Sequence, residues 1–360
     1  MAGRRYRTQS SPSDVVPMHR ILTAMLLMLA MPLRPAAAGD QFPGVEWDHL
    51  SPSQSGWSQS GLRAAQDWSE QIHSTAVMVV AGGVVVREWG DTVKRTELAS
   101  VRKSLLDALF GIAVSERKIS LDSTLAALGI DDNPPPLTDV EKQATVRMLL
   151  EARSGVYHPA LYETPGMALR RPPRGSHSPG TFWYYNNWDF NALGTIYEHA
   201  TGTGIYDALD RLIARPIGMQ DYRPEDGEYV TGPDSIHRAY PLRMSARDLA
   251  RFALLYLNNS AWAGRQIVPG DWVRESTQPY SHDRNGWGYG YLWWTAGDAD
   301  QLPAGSFFAW GAGGQFAFVI PAHDLVVVSR VDRDLHLPEP RLREAAALVR
   351  LLLQAAPHSP

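Results

Sequence analysis

The chain has 360 residues, 44% hydrophobic and 20% charged, a globular composition with room for one large domain or a core carrying an insert. Its formal net charge of −4 supplies no whole-chain attraction to nucleic acid or to an anionic membrane. Cysteine is absent, which excludes disulfides, thiol catalysis and thiolate metal sites.

Residues 1–38 read as a targeting segment. Ile21–Leu33 is an apolar run preceded by His19 and Arg20 and followed by Ala36-Ala37-Ala38, a small-residue cleavage signal before Gly39. The run is shorter than the ~20 residues of a transmembrane helix. No stable membrane anchor is therefore expected, and the mature chain is expected to be periplasmic or secreted. Residues 1–17 are polar and unlike a leader, which makes Met18 an alternative start. The remainder, 39–360, reads as a single domain.

In chain order, Ser51–Ser69 is expected to be helical, with Leu62, Ala65 and Trp68 on one side. Thr75–Val80 and Val84–Trp89 are β-branched runs around Ala81-Gly82-Gly83, the pattern of a hairpin. Glu97–Glu116 reads as a buried helix, since Leu105, Leu109 and Ile112 form one stripe and Leu106, Phe110 and Ala113 the next. Asn133-Pro-Pro-Pro136 must be a loop. A short helix over Ala144–Arg153 ends at Ser154-Gly155, and a polar loop, Arg170–Gly180, leads into Thr181–Asn187. Helices follow at Phe190–Thr201, Tyr206–Ala214 and Ser245–Asn258, the last with Asp248 at the capping-box position. Strands are expected at Gly288–Trp294, Ser306–Trp310, Gln315–Ile320 and Leu325–Arg330, before a final helix over Pro340–Gln354. Strands at both ends and helices between them predict an α+β fold: an antiparallel sheet flanked by helices, with a mostly helical insert over residues 104–285.

The chemistry gathers at the start of the buried helix. Ser100 and Lys103 stand one turn apart on one face, so the amine can lie beside the hydroxyl. The helix N-terminus adds free N–H groups there, and a lysine in a partly dry site activates a serine. The chain has four lysines, Lys94, Lys103, Lys118 and Lys142, and Ser115–Lys118 repeats the spacing where the apolar run ends. That second copy reads as a solvated helix end and serves as a control.

Two more patches complete the pattern: Tyr184-Tyr185-Asn186-Asn187, and Trp310-Gly311-Ala312-Gly313-Gly314-Gln315 running into a strand. With Ser100-Val-Arg-Lys103 they resemble the three ordered motifs of serine β-lactamases and penicillin-binding proteins. The likeness is to the class C β-lactamase-related branch, which also holds esterases, D-amino-acid amidases and carboxypeptidases. It spans roughly Thr75 to Arg330 and implies an antiparallel sheet with the site between sheet and helical insert. Counting back from Leu193-Gly194 favours Tyr185-x-Asn187 over Tyr184-x-Asn186. Tyr256-Leu-Asn258 is a third copy, read as structural.

The resemblance implies that Ser100 attacks, that Lys103 and Tyr185 move protons, and that Asn187 bonds both the Lys103 amine and the substrate. A lysine ammonium beside Tyr185 is expected to favour the phenolate, and burial is expected to lower the Lys103 pKa. A backbone N–H of Ala312 or Gly313 is expected to complete the oxyanion hole with that of Ser100. Trp310 stands where β-lactamases carry a lysine facing the substrate carboxylate.

The eleven histidines are scattered without a metal-binding spacing, so no metal and no cofactor are expected. Arg170–Arg174 reads as a solvated loop at the rim of the cleft. The substrate is expected to be a small ester or amide. Two alternatives stay open: a β-lactamase or D-Ala-D-Ala carboxypeptidase, and a catalytically silent binder of peptidoglycan or peptide fragments.

Overall fold

The computed structural model describes residues 42–51, 56–297 and 302–357; the leader expected over 1–38 lies outside them. The expected hairpin forms from β1 (Ala76–Ala81) and β2 (Val84–Gly90), turning through Gly82 and Gly83 at φ of 59° and 77°. Such angles strain any residue with a Cβ, hence the paired glycines. The rest of the sheet comes from the far end of the chain. It comprises β3 (Ser281–His282), β4 (Gly288–Tyr289), β5 (Trp294–Thr295), β6 (Phe307–Gly311), β7 (Gln315–Ile320) and β8 (Leu325–Arg330). The eight strands run in the order β2-β1-β8-β7-β6-β5-β4-β3, antiparallel at every pairing. β8 closes on β1 from Ala76↔Arg330 to Ala81↔Leu325, joining the two ends of the fold.

β7 and β8 are buried at every residue, and their side chains read as near-continuous apolar runs, as befits strands covered on both faces. The helix Ala246–Leu257 lies on β1, β7 and β8. The terminal helices Gln59–Gln71 and Leu342–Ala355 pack on each other, tied by the Trp68 indole donating to Glu344 O at 2.9 Å. In sequence, the helices of the insert lie between the sheet's first two strands and its last six, and include Arg102–Ser115, whose residues Arg102 to Ala113 are all buried. No helix among the described residues is long and apolar enough to cross a membrane.

Some expected elements change. The first helix starts at Gln59, where the Ser58 hydroxyl accepts from Gly61 N at 3.1 Å. The segment expected as one strand over Gly288–Trp294 is two short strands with a tight connection between them. A side chain at Gly290 would meet Ser276 O, and Leu292 takes φ of 59° to offer its carbonyl to the Ser104 hydroxyl at 2.8 Å. The helix expected over Tyr206–Ala214 is α-helical only over Ile205–Leu209 and widens to a π-turn over Asp210–Ala214. Ser245 caps its helix as expected, but Asp248 does not complete a capping box. Its buried carboxylate accepts instead from the backbone N–H groups of Gln220, Asp221 and Tyr222 at 2.7, 2.8 and 2.8 Å. The three loop N–H groups occupy both oxygens of the Asp248 carboxylate in place of the reach back to the cap.

Candidate active site

Ser100 sits at a sharp entry into a helix. Thr96–Glu97 pairs with Arg243–Met244, the chain bends at Ala99 with φ of 47°, and a 3₁₀ turn over Ala99–Val101 runs into Arg102–Ser115. A non-glycine residue in this region of φ stores on the order of 1–3 kcal/mol and persists only where surrounding structure imposes it.

Lys103 Nζ lies 2.7 Å from Ser100 Oγ and 2.8 Å from the Tyr185 hydroxyl. The aromatic faces of Tyr185 and Phe190, with centroids 4.5 and 4.6 Å from Nζ, close over the amine. Lys103 is 1% exposed and has no carboxylate partner among the described residues. Burial pulls its pKa well below the ordinary lysine value, and the charge of Arg102 pulls in the same direction. Lys103 is thus biased towards a free amine with a lone pair to offer. Tyr185 departs from expectation. Burial pushes its hydroxyl up to about 12, against the smaller opposing effects of Ser100 and Arg102. The expected phenolate relied on an ammonium beside it. With the amine itself biased to neutral, the remaining effects of Ser100 and Arg102 do not offset the desolvation of a phenolate.

The competing copies of each motif fall elsewhere. Ser115 donates to Ile112 O at 2.8 Å, and Lys118 pairs with Glu116 at 2.6 Å in solvent. Tyr184 donates to Met167 O at 2.9 Å, away from Lys103, and Tyr256 donates to the buried Asp107 at 2.7 Å. Asn187 opens the helix Asn187–Thr201 and is buried, yet it makes no hydrogen bond to Lys103. Tyr162, held at φ of 62°, presents its carbonyl to the Asn187 amide nitrogen at 2.7 Å. The other end of that amide, Oδ1, has no partner.

Across from these groups lies the end of β6. A Cβ added at Gly311 would stand 2.5 Å from Leu98 O and 2.9 Å from Ser100 N, so only glycine lets the strand approach so closely. Ala312, Gly313 and Gly314 form the turn into β7, and a Cβ at Gly313 would meet the Arg333 side chain instead. The strand end that approaches Ser100 is thus Gly311, the residue before Ala312, rather than Gly313. Trp310 is half-buried, 5.1 Å from Trp294 between ring centroids. Trp294 in turn stacks on Tyr185 at 5.6 Å and meets Trp183 edge-on at 5.9 Å. One wall of the site is consequently aromatic and neutral.

The nearby basic loop brings no free cation from two of its three arginines. Arg171 is bound to Glu163, while Arg174 bonds Glu141 at 2.7 and 2.9 Å and the carbonyls of Pro135 and Pro136. Arg174 straps the proline loop rather than lying solvated as expected. Among the described residues, no group of three His, Asp or Glu side chains is arranged to hold a metal ion.

Three neighbours of the site were not singled out by sequence: Phe190, Trp294 and Arg102. Arg102 stands next to Lys103 in the sequence and has no separate local signal. It is 1% exposed, donates to Ala99 O at 2.9 Å, and lies 5.0 Å from the rings of both Tyr162 and Tyr240. Phe190 and Trp294 carry no signal either, because only the fold brings them to Lys103 and Tyr185.

A family model described as Beta-lactamase matches residues 61–351. Esterase EstB of Burkholderia gladioli is 28% identical over 167 residues, covering 39% of this chain and 42% of that one. Among solved structures, the octameric penicillin-binding protein homologue from Pyrococcus abyssi superposes with a TM-score of 0.62 at 18% identity, covering 83% of this chain and 78% of that one. EstCE1, a hydrolase with promiscuous acyltransferase activity, superposes with a TM-score of 0.57 at 15% identity, covering 83% and 99%. At such identities the two superpositions speak for the fold alone.

Proposed function

This chain belongs to the Beta-lactamase family of serine hydrolases, and on that premise we propose that it hydrolyses a small neutral ester or amide through an acyl-enzyme on Ser100. The observation that carries this reading is the Ser100–Lys103–Tyr185 cluster, with Nζ at 2.7 and 2.8 Å from the two hydroxyls. The free Lys103 amine takes the Ser100 proton as Oγ attacks the substrate carbonyl carbon. The carbonyl oxygen becomes an oxyanion between the N–H of Ser100 and a strand N–H, for which Ala312 is the candidate. A single such donor is worth roughly 2.7–4 kcal/mol.

The tetrahedral adduct collapses as the Tyr185 hydroxyl protonates the leaving oxygen or nitrogen, and the Lys103 ammonium returns a proton to Tyr185. Water then attacks the acyl-enzyme by the same route in reverse, releasing the acid and restoring Ser100. A hydroxyl held near a pKa of about 12 suits an acid that must be protonated at rest. Asn187 Oδ1 is buried and unbonded in the structure, so accepting a substrate N–H there requires this amide to be uncovered as substrate binds.

The neutral wall of Trp310 and Trp294 supports a neutral substrate, and the names of EstB and EstCE1 agree with ester hydrolysis. The leader-like run Ile21–Leu33 supports export to the periplasm or beyond.

Comparing p-nitrophenyl butyrate with nitrocefin on one purified enzyme tests the substrate reading. A lysine facing the substrate carboxylate supplies about 1.5–3 kcal/mol as a charged hydrogen bond, so its replacement by Trp310 is expected to slow acylation by nitrocefin about tenfold to a hundredfold. Measurable ester turnover is expected beside slow or undetectable nitrocefin turnover. Nitrocefin turnover equal to or above the ester rate would contradict this and favour a β-lactamase.

A further inference from the structure

The backbone that carries Ser100 and the backbone that carries Gly311 and Ala312 come from opposite ends of the fold, yet an oxyanion hole needs one N–H from each. Gln315 opens β7, is fully buried, and pairs across the hairpin with Gly311. Its amide nitrogen donates to Gly313 O at 2.6 Å and to Val331 O at 2.7 Å. Its amide oxygen accepts from Arg330 Nε. Arg330 ends β8 and is 1% exposed. Its Nη1 donates to Met244 O at 3.1 Å, and its Nη2 reaches Thr96 O at 3.1 Å, Thr96 Oγ1 at 2.7 Å and Glu97 O at 3.0 Å. A guanidinium has five N–H groups in a fixed fork, and here five acceptors surround it. None of the five is a carboxylate.

A continuous chain of hydrogen bonds therefore runs from the turn at Gly313 through Gln315 and Arg330 to Thr96 and Glu97, just upstream of Ser100. The same two backbones touch directly where Gly311 faces Leu98 O and Ser100 N. Burying a cation without a bonded counter-charge is an expensive way to hold two strands, because the desolvation of the charge must be offset by hydrogen bonds alone. Stability alone is poorly served by it, whereas a rigid fork that fixes the separation of two backbone segments is well served.

We propose that Gln315 and Arg330 are positioning residues that hold the two donors of the oxyanion hole at their working separation. They touch no reacting atom. Their effect falls on the transition state, because the oxyanion exists only there, and substrate binding in the ground state is left largely alone. This inference rests on the acyl-enzyme reading of Ser100.

The test measures kcat and KM for p-nitrophenyl butyrate, inhibition by phenylboronic acid, and the melting temperature of wild type, Gln315→Ala, Gln315→Glu and Arg330→Lys. Phenylboronic acid bonds to a serine Oγ and places a boron-bound oxygen where the oxyanion forms. Gln315→Ala is expected to lower kcat about tenfold to a thousandfold with KM within about threefold, as loss of an oxyanion donor does. The boronate inhibition constant should rise by the same factor as kcat/KM falls. Gln315→Glu keeps the size and the acceptor for Arg330 but loses both N–H donors to Gly313 and Val331, so it is expected to show the same split should the alanine variant fail to fold. Arg330→Lys offers three donors for five acceptors and should fall between. A merely structural role would lower the melting temperature and leave kcat and boronate affinity of the folded enzyme unchanged, and that result overturns the proposal. Failure of the wild type itself to turn over ester or to bind boronate would instead remove the acyl-enzyme reading, and this inference with it.

Discussion

Lys103 and Tyr185 are both pushed towards their uncharged forms, and the pH behaviour of the enzyme follows from the two directions. Folded Lys103 has a lowered pKa, so between that value and the ordinary lysine value the unfolded chain holds a proton that the folded chain does not. Stability from this group is therefore lost as pH falls from the ordinary lysine value through the folded pKa, whereas catalysis, which needs the free amine, is lost only around and below the folded pKa. The expected kcat/KM rises with pH on the acid side and then levels. Lys103→Arg, charged throughout, should lower kcat by about 10²–10⁴, the usual contribution of a general base. An arginine variant with near-native turnover would remove the role given to Lys103.

On the scale of elements, the helix Arg102–Ser115 shows how burial shapes more than the catalytic groups. Asp107 is fully buried on it and accepts from Tyr256 Oη at 2.7 Å, Trp293 Nε1 at 3.0 Å and Trp272 Nε1 at 3.1 Å. Burial raises its pKa to about 7 despite those donors. The folded chain then keeps a proton that the unfolded chain has released, so stability is fully present below the ordinary aspartate range and is lost as pH rises through about 7. A tenfold difference in proton affinity between folded and unfolded chains corresponds to about 1.4 kcal/mol. Asp107→Asn cannot titrate, and its unfolding free energy, measured by urea melts from pH 4 to pH 8, should lack that part of the decline. An identical slope in variant and wild type would show that Asp107 is ionised throughout.

That helix was legible because apolar residues occupy every face of it, a pattern that only a helix covered all round can satisfy. The region Gly288–Trp294 was not legible as two strands. Its alternation is that of a strand, and the break arises from contacts with Ser276 and Ser104, remote in sequence. Asp248 failed for a related reason, since local capping chemistry lost to three backbone N–H groups of a distant loop.

At the scale of the whole molecule, an antiparallel sheet built from both chain ends with helices between them is the architecture that the order of strands and helices implied. Ser100, Lys103 and Tyr185 were readable because they belong to motifs of fixed local spacing that recur in fixed order. The structure brings those three together. Relations between segments were not readable. Asn187 turns to Tyr162, Gly311 rather than Gly313 faces Ser100, and Gln315 with Arg330 ties β7 and β8 to Thr96 and Glu97. Each depends on a close approach across the sheet or between loops, and no local pattern encodes it.

The most direct test of the central claim is intact-mass measurement after treatment with a fluorophosphonate, on wild type, Ser100→Ala and Ser115→Ala. One stoichiometric adduct is predicted on wild type and on Ser115→Ala, and none on a folded Ser100→Ala. Labelling that survives in Ser100→Ala, or that disappears in Ser115→Ala, would contradict the assignment of Ser100 as the nucleophile.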